Sequence, residues 1–170
     1  MGIRNKYFVL MLLLLTVNLS SCGVYSFTGA SISPDVKTVS IAYFQNRAST
    51  IQPSLSQLFT EKMKDKFVSQ TTLTLTNTPG DLQFDGSITD YFTQPMAIQG
   101  NEQAALNRLT INVKVKFVNT KDEKQSFETS FSRFADYDSR QNLALVENDL
   151  MNEICNQLVD DIFNKAVINW

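Results

Sequence analysis

Two stretches in the second half of the chain alternate apolar and polar residues without a break. "RLTINVKVKFV" (residues 108–118) places Leu109, Ile111, Val113, Val115 and Phe117 on one side and Arg108, Thr110, Asn112, Lys114 and Lys116 on the other. "SFETSFSRF" (126–134) sets Phe127, Thr129 and Phe131 against Ser126, Glu128 and Ser130. A period of two marks a strand with one buried face. It also fixes register, because a slip of one residue turns every apolar side chain to solvent, so odd residues must oppose odd residues. Pairing Phe117 with Phe127 leaves a connection around "TKDEK", an ordinary hairpin length. It sets Lys116 across from Glu128, a favourable cross-strand pair. The sequence therefore predicts an antiparallel hairpin, with strands at 106–118 and 125–134, whose inward face needs a cover.

Two amphipathic helices supply that cover. In "PSLSQLFTEKMKDKFVSQ", Leu55, Leu58, Phe59, Met63 and Phe67 recur at spacings of three and four, and Pro53 suits a first helical turn, which predicts a helix over 53–69. In "SRQNLALVENDLMNEICNQLVDDIFNKA", Leu143, Val146, Leu150, Ile154, Leu158 and Ile162 form one stripe, widened by Met151, Cys155 and Phe163. Asp138 and Ser139 are the candidate caps for its start. Upstream, "VKTVSIAYF" predicts a strand at 36–44 with Val39, Ile41 and Tyr43 on one face. "TTLTLTNT" predicts another at 71–77, parallel to the first after a helical crossover. In "TPGD", Pro79 presets one angle and Gly80 is expected to supply the positive φ of a type II turn. In "LQFDGSITDYF", Leu82, Phe84, Ile88 and Phe92 are expected to face one way, with Gly86 marking a bulge or a close contact. The connection 94–105 exposes Met96 and Ile98 unless they pack elsewhere. The expected class is α+β: a two-layer domain with two amphipathic helices packed on one face of a mixed, mostly antiparallel sheet.

The beginning of the chain has a separate logic. Arg4 and Lys6 are its only charges before residue 22, and Tyr7 to Leu19 is nearly all apolar. That is the layout of a secretory signal, too short to span a bilayer comfortably. "LSSC" (Leu19, Ser20, Ser21, Cys22) resembles the lipobox of bacterial lipoproteins, where a peptidase cuts before the cysteine and its thiol carries lipid. A plain signal peptide is the other reading, as is a disulfide between Cys22 and Cys155, which lipidation would preclude. With Cys22 lipidated, Cys155 is a free thiol in an apolar helical stripe, expected to be buried. The expected layout is a removed signal at 1–21, a lipidated tether at 22–34 and one domain at 35–170. Several acyl chains anchor firmly where one binds only reversibly. Gly23 rather than Asp after the cysteine favours the outer membrane, and no acidic cluster follows, so the domain is expected to face the periplasm.

Removal of 21 of 170 residues leaves 149, enough for one real core. Arg4 and Lys6 leave with the signal, so 13 basic residues face 17 acidic ones. An acidic domain with no basic run is a poor fit to nucleic acid. The chain has no histidine, which removes His-based triads, His general bases and His-ligated metals. It has no GxSxG elbow and no Gly-rich phosphate loop. Asp136 with Asp138 and Asp160 with Asp161 read as solvated carboxylates. No catalytic, cofactor-binding or metal-binding residue is expected, and nothing argues for an enzyme.

The lipobox followed by "CGVYSF", with Gly23 and Tyr25, precedes the strand "VKTVSIAYF", the helix "LSQLFTEKM", the strand "DLQFDGSITDY", two long strands and a final helix. This order resembles the lipopolysaccharide-assembly lipoprotein family, LptE, over essentially the whole mature chain. The resemblance implies a non-enzymatic outer-membrane lipoprotein. It would plug a large β-barrel, LptD, help it assemble and help deliver lipopolysaccharide to the outer leaflet. No ligand residue carries over, because no local motif aligns. The residues themselves offer one candidate binding set: Arg108, Lys114 and Lys116 share a strand face, and Lys121 and Lys124 lie at the hairpin tip. Cations of this kind bind the phosphates of lipopolysaccharide well; the plainer reading is a solvated face with Lys116 paired to Glu128. Two other functions stay open: a periplasm-facing lipoprotein holding a small lipid or glycan in its own pocket, and, with least support, a lipid-anchored hydrolase.

Overall fold

A computed structural model describes residues 32–96 and 105–167. The signal segment, Cys22, most of the tether and Ile98 lie outside the described residues. The elements run β1 (Thr38–Ile41), β2 (Gln45–Asn46), α1 (Leu55–Gln70), β3 (Thr74–Leu75), β4 (Leu82–Pro95), β5 (Leu106–Asn119), a short 3-10 turn (Glu123–Gln125), β6 (Phe127–Asp138) and α2 (Leu143–Val167). The sheet order is β3-β1-β4-β5-β6, with β2 also beside β4. β1 is parallel to both β3 and β4, whereas β4, β5 and β6 form an antiparallel meander. The helices pack on each other and on the sheet, with α2 lying mainly against β6. The fold is the expected α+β class.

The hairpin register is the one that alternation dictates. Phe117 opposes Phe127 and Lys116 opposes Glu128. On β5, the central strand of the meander, Leu109, Ile111, Val113, Val115 and Phe117 are fully buried. Phe127 and Phe131, on the edge strand, are only partly buried against the core. α1 buries Leu55, Phe59, Met63 and Phe67, and α2 buries Leu150, Met151, Ile154, Cys155, Leu158 and Ile162. A row of rings links the layers: Phe67 to Phe84 at 4.7 Å, Phe84 to Phe117 at 4.7 Å and Phe117 to Phe127 at 5.2 Å between centroids.

Four local expectations are corrected. First, Tyr43 is exposed and Phe44 is buried. The chain leaves the ladder after Ile41 and rejoins it at Gln45, and the break changes which residue turns inward. The Phe44 amide donates to Thr60 Oγ1 at 3.1 Å, fixing the crossing to α1. Second, the β4 register shifts between Ile88 and Asp90. One extra residue reverses parity, so Tyr91 is buried and Phe92 faces outward at 40% exposure. Gly86 is not the bulge but a close contact: a Cβ there would lie 2.1 Å from the Lys114 carbonyl oxygen and 2.7 Å from the Phe44 ring. Third, Gly80 does not adopt positive φ; a Cβ there would lie 2.9 Å from the Ser40 nitrogen, so the glycine serves a close passage against β1. Fourth, α2 begins later than expected, and Asn142 Oδ1 accepts the Ala144 amide at 3.0 Å, a cap that Asp138 and Ser139 do not provide.

Candidate functional site

The helices cover one side of the meander, and among the described residues no element covers the other. Each strand contributes its polar positions to this open face in cross-strand rows. One end carries Asp85, Lys116 and Glu128 in one row, with Ser87, Lys114 and Ser130 in the next. The other end carries Phe92, Thr110 and Phe134, then Gln94, Arg108 and Asp136. The face therefore has a charged end and an aromatic end.

At the charged end a shallow cleft of about 210 Å³ is lined by Arg47, Asp85, Lys114, Lys116 and Glu128, among others. The Lys114 ammonium reaches Glu128 Oε1 at 2.5 Å. The sequence pairing of Lys116 with Glu128 is thus right in register and wrong in contact, because the ion pair runs on the diagonal. Hydrogen bonding to Lys114 holds the Glu128 carboxyl below its ordinary range, and the charge of Lys116 adds to this. Among the described residues Lys116 has no ion pair within contact distance, and three cations face two carboxylates in the cleft. Arg47 escapes sequence reasoning because it follows a two-residue strand that no periodicity reveals. It arrives here because β2 pairs with Ser87 and Ile88 of β4, and its own amide donates to the Ile88 carbonyl at 2.8 Å.

The other predicted cations are placed elsewhere. Lys121 binds Asp81 at 3.0 Å. Asp81 also accepts the Lys37 amide at 2.9 Å and the Thr38 amide and hydroxyl, both at 3.0 Å. The amide of Lys37, then Lys121 and Thr38, hold this carboxyl far below its ordinary value. The cluster clasps β1 to the start of β4 and the hairpin tip, so Lys121 has a structural partner. Lys124 lies in the 3-10 turn, where its amide donates to Asp122 Oδ1 at 3.1 Å. Arg108 is eight residues from Lys116 along β5, on the order of 26 Å at a strand's rise per residue. Its Nε and Nη2 donate to the two Asp136 carboxylate oxygens at 2.7 and 2.8 Å, and its guanidinium lies 3.5 Å from the centre of the Phe134 ring. The structure therefore gathers Lys114 and Lys116, adds Arg47, sets Arg108 at the other end of β5, and leaves Lys121 and Lys124 out of the cleft lining.

Two buried groups lie on the helix side. The Tyr91 hydroxyl donates to Glu147 Oε1 at 2.5 Å, and Gln52 donates to Glu147 Oε2 at 3.3 Å, which ties β4 and the 47–54 segment to α2. Burial and the adjacent Glu147 push the Tyr91 hydroxyl upward. Cys155 is a free, buried thiol pushed up to about 12 by burial, the reverse of what a nucleophile needs. Among the described residues no cluster of three or more Cys, Asp or Glu could hold a metal ion, and no helix is long and apolar enough to cross a membrane.

Solved structures share the fold at low identity. Protein CT253 from Chlamydia trachomatis aligns with a TM-score of 0.51 at 9% identity, covering 79% of this chain and 99% of that one. A neuraminyllactose-binding hemagglutinin homolog from Helicobacter pylori aligns with a TM-score of 0.51 at 12% identity, covering 83% and 88%. A minor lipoprotein from Acinetobacter baumannii aligns with a TM-score of 0.47 at 13% identity, covering 76% and 91%. No curated protein matches the chain in sequence. The family model LptE, described as lipopolysaccharide-assembly, matches residues 36–166, from just before β1 to the last turn of α2. The chain belongs to the LptE lipopolysaccharide-assembly family.

Proposed function

We propose that this protein is an outer-membrane lipoprotein, anchored through acylated Cys22 and facing the periplasm. It plugs an LptD-like lipopolysaccharide-exporting barrel, helps it assemble and aids delivery of lipopolysaccharide to the outer leaflet. The observation that carries this reading is the family match, which takes in every strand and nearly all of both helices. The layout of residues 1–21 as a removed signal, 22–34 as a tether and 35–170 as the domain belongs to the same proposal. No reaction is assigned to it. Within this reading the cleft of Arg47, Lys114 and Lys116 contacts phosphate groups, since cations paired to phosphate make the stronger class of hydrogen bond. Arg108, Lys121 and Lys124 do not line that cleft.

Extraction in mild detergent followed by affinity capture tests the proposal. A stoichiometric partner of barrel size and a Cys22-acylated N-terminus by mass spectrometry are expected, and Cys22→Ala should leave an unprocessed or unanchored protein. Capture of the acylated protein with no barrel, but with a small lipid or glycan retained, would instead favour a binding lipoprotein with its own pocket.

A further inference from the structure

The aromatic end of the open face has no task in the phosphate contacts. Phe92, Thr110 and Phe134 lie side by side on β4, β5 and β6. Phe92 is 40% and Phe134 45% exposed, whereas Thr110 between them is only 9% exposed. Leu106, also on this face, is 37% exposed. The Arg108 side chain stacks on Phe134, and its two bonds to Asp136 fix the guanidinium plane. Nε and one N–H of Nη2 are occupied by that carboxylate; the remaining N–H groups of the fork stay available as oriented donors. Asp90, Asn112 and Ser132 form the next row, and Asn112 Nδ2 already donates to Asp90 Oδ2 at 3.0 Å.

We propose that this strip is a saccharide platform, with Phe92 and the face of Phe134 opposite Arg108 stacking on sugar rings and Arg108 and Asp136 bonding their hydroxyls. The chemistry fits a sugar on each count. The electron-rich face of an aromatic ring attracts the polarised C–H bonds of a pyranose face. A pre-formed Arg–carboxylate pair offers donor and acceptor together without the ordering cost that free side chains would pay. The two ends of the sheet face then suit the two polar parts of one molecule, phosphates at the Lys116 cleft and sugars at the Phe134 strip. This inference rests on the lipopolysaccharide reading and names the part of the ligand taken here.

The test uses the full-length lipoprotein in detergent micelles and two probes: intact lipopolysaccharide, and its oligosaccharide stripped of acyl chains and phosphates. Calorimetry should detect binding of the stripped oligosaccharide to wild type. Phe134→Ser and Phe92→Ser should each weaken it at least tenfold, while Phe134→Tyr keeps it within about twofold. Both rings are substantially exposed, and unchanged thermal melting would confirm that the variants fold. Intact lipopolysaccharide binding without any stripped-oligosaccharide binding would overturn the platform alone. Failure of both probes on wild type would overturn the lipopolysaccharide reading as well. Loss of a co-purifying protein from the Phe134→Ser variant, with sugar binding unchanged, would make the strip a protein contact instead and end the saccharide proposal.

Discussion

At the scale of single residues, Asp81 shows how much one carboxylate can organise. It binds two amides, a hydroxyl and an ammonium drawn from Lys37, the start of β1 and the hairpin tip. These partners favour its charged form, so its folded pKa lies well below its ordinary 3.8. A depressed folded pKa contributes stability that is present above the unfolded value and is lost as pH falls through the folded one. Wild type should therefore lose stability progressively below about pH 4, with Glu128, Asp136 and Asp138 contributing in the same direction. Asp81→Asn should melt lower than wild type at pH 7, and the gap should narrow progressively as pH falls below about 4. Thermal melts across that range check this; a gap of constant size would show that the clasp acts through shape rather than charge. Nothing in the sequence marks Asp81 as more than a turn residue after Gly80, because its partners lie about forty residues away along the chain.

At the scale of elements, periodicity was legible where a strand is continuous and failed where it is broken. β5 has no interruption, and each of its five inward residues is fully buried. β4 carries one extra residue near Thr89, and from there on every inference by parity inverts, which is why Tyr91 and Phe92 exchange roles. The first strand breaks at Ala42, and Tyr43 and Phe44 exchange roles for the same reason. Neither break leaves a mark in the sequence, since no proline or glycine stands at either point. The position of a strand within the sheet also sets the cost of truncation. Phe117 on central β5 contacts the rings of both Phe84 and Phe127, so Phe117→Ala should destabilise by about 3–5 kcal/mol. Phe131→Ala on edge strand β6, where the side chain is only partly buried, should cost clearly less. Urea denaturation of both variants measures the difference; equal shifts in midpoint would mean that α2 covers β6 as completely as β5.

At the scale of the whole molecule, alternation and helical stripes were enough to specify which layers form and which face of the sheet stays open. They could not specify which charges meet on that face. Arg47 joins the cleft only through the pairing of β2 with β4, and Glu128 goes to Lys114 on the diagonal rather than to Lys116 directly opposite. The cleft's excess positive charge is therefore a property of the assembled sheet, and its effect should be collective. An exposed charge contributes ~0–1 kcal/mol on its own, so Lys116→Gln alone should change lipopolysaccharide binding little. Arg47→Gln combined with Lys116→Gln leaves only Lys114, already engaged by Glu128, to face phosphate. The double variant should bind intact lipopolysaccharide clearly more weakly at low salt. Screening by ions should bring wild type down toward the variant at high salt, since the Debye length shrinks to ~3 Å at molar ionic strength. Barrel co-purification should be unchanged, because both substituted side chains are exposed and the core stays intact. Titration of wild type and the double variant at low and high salt decides the matter: equal affinities at low salt would remove the cleft from the binding site while leaving the family assignment untouched.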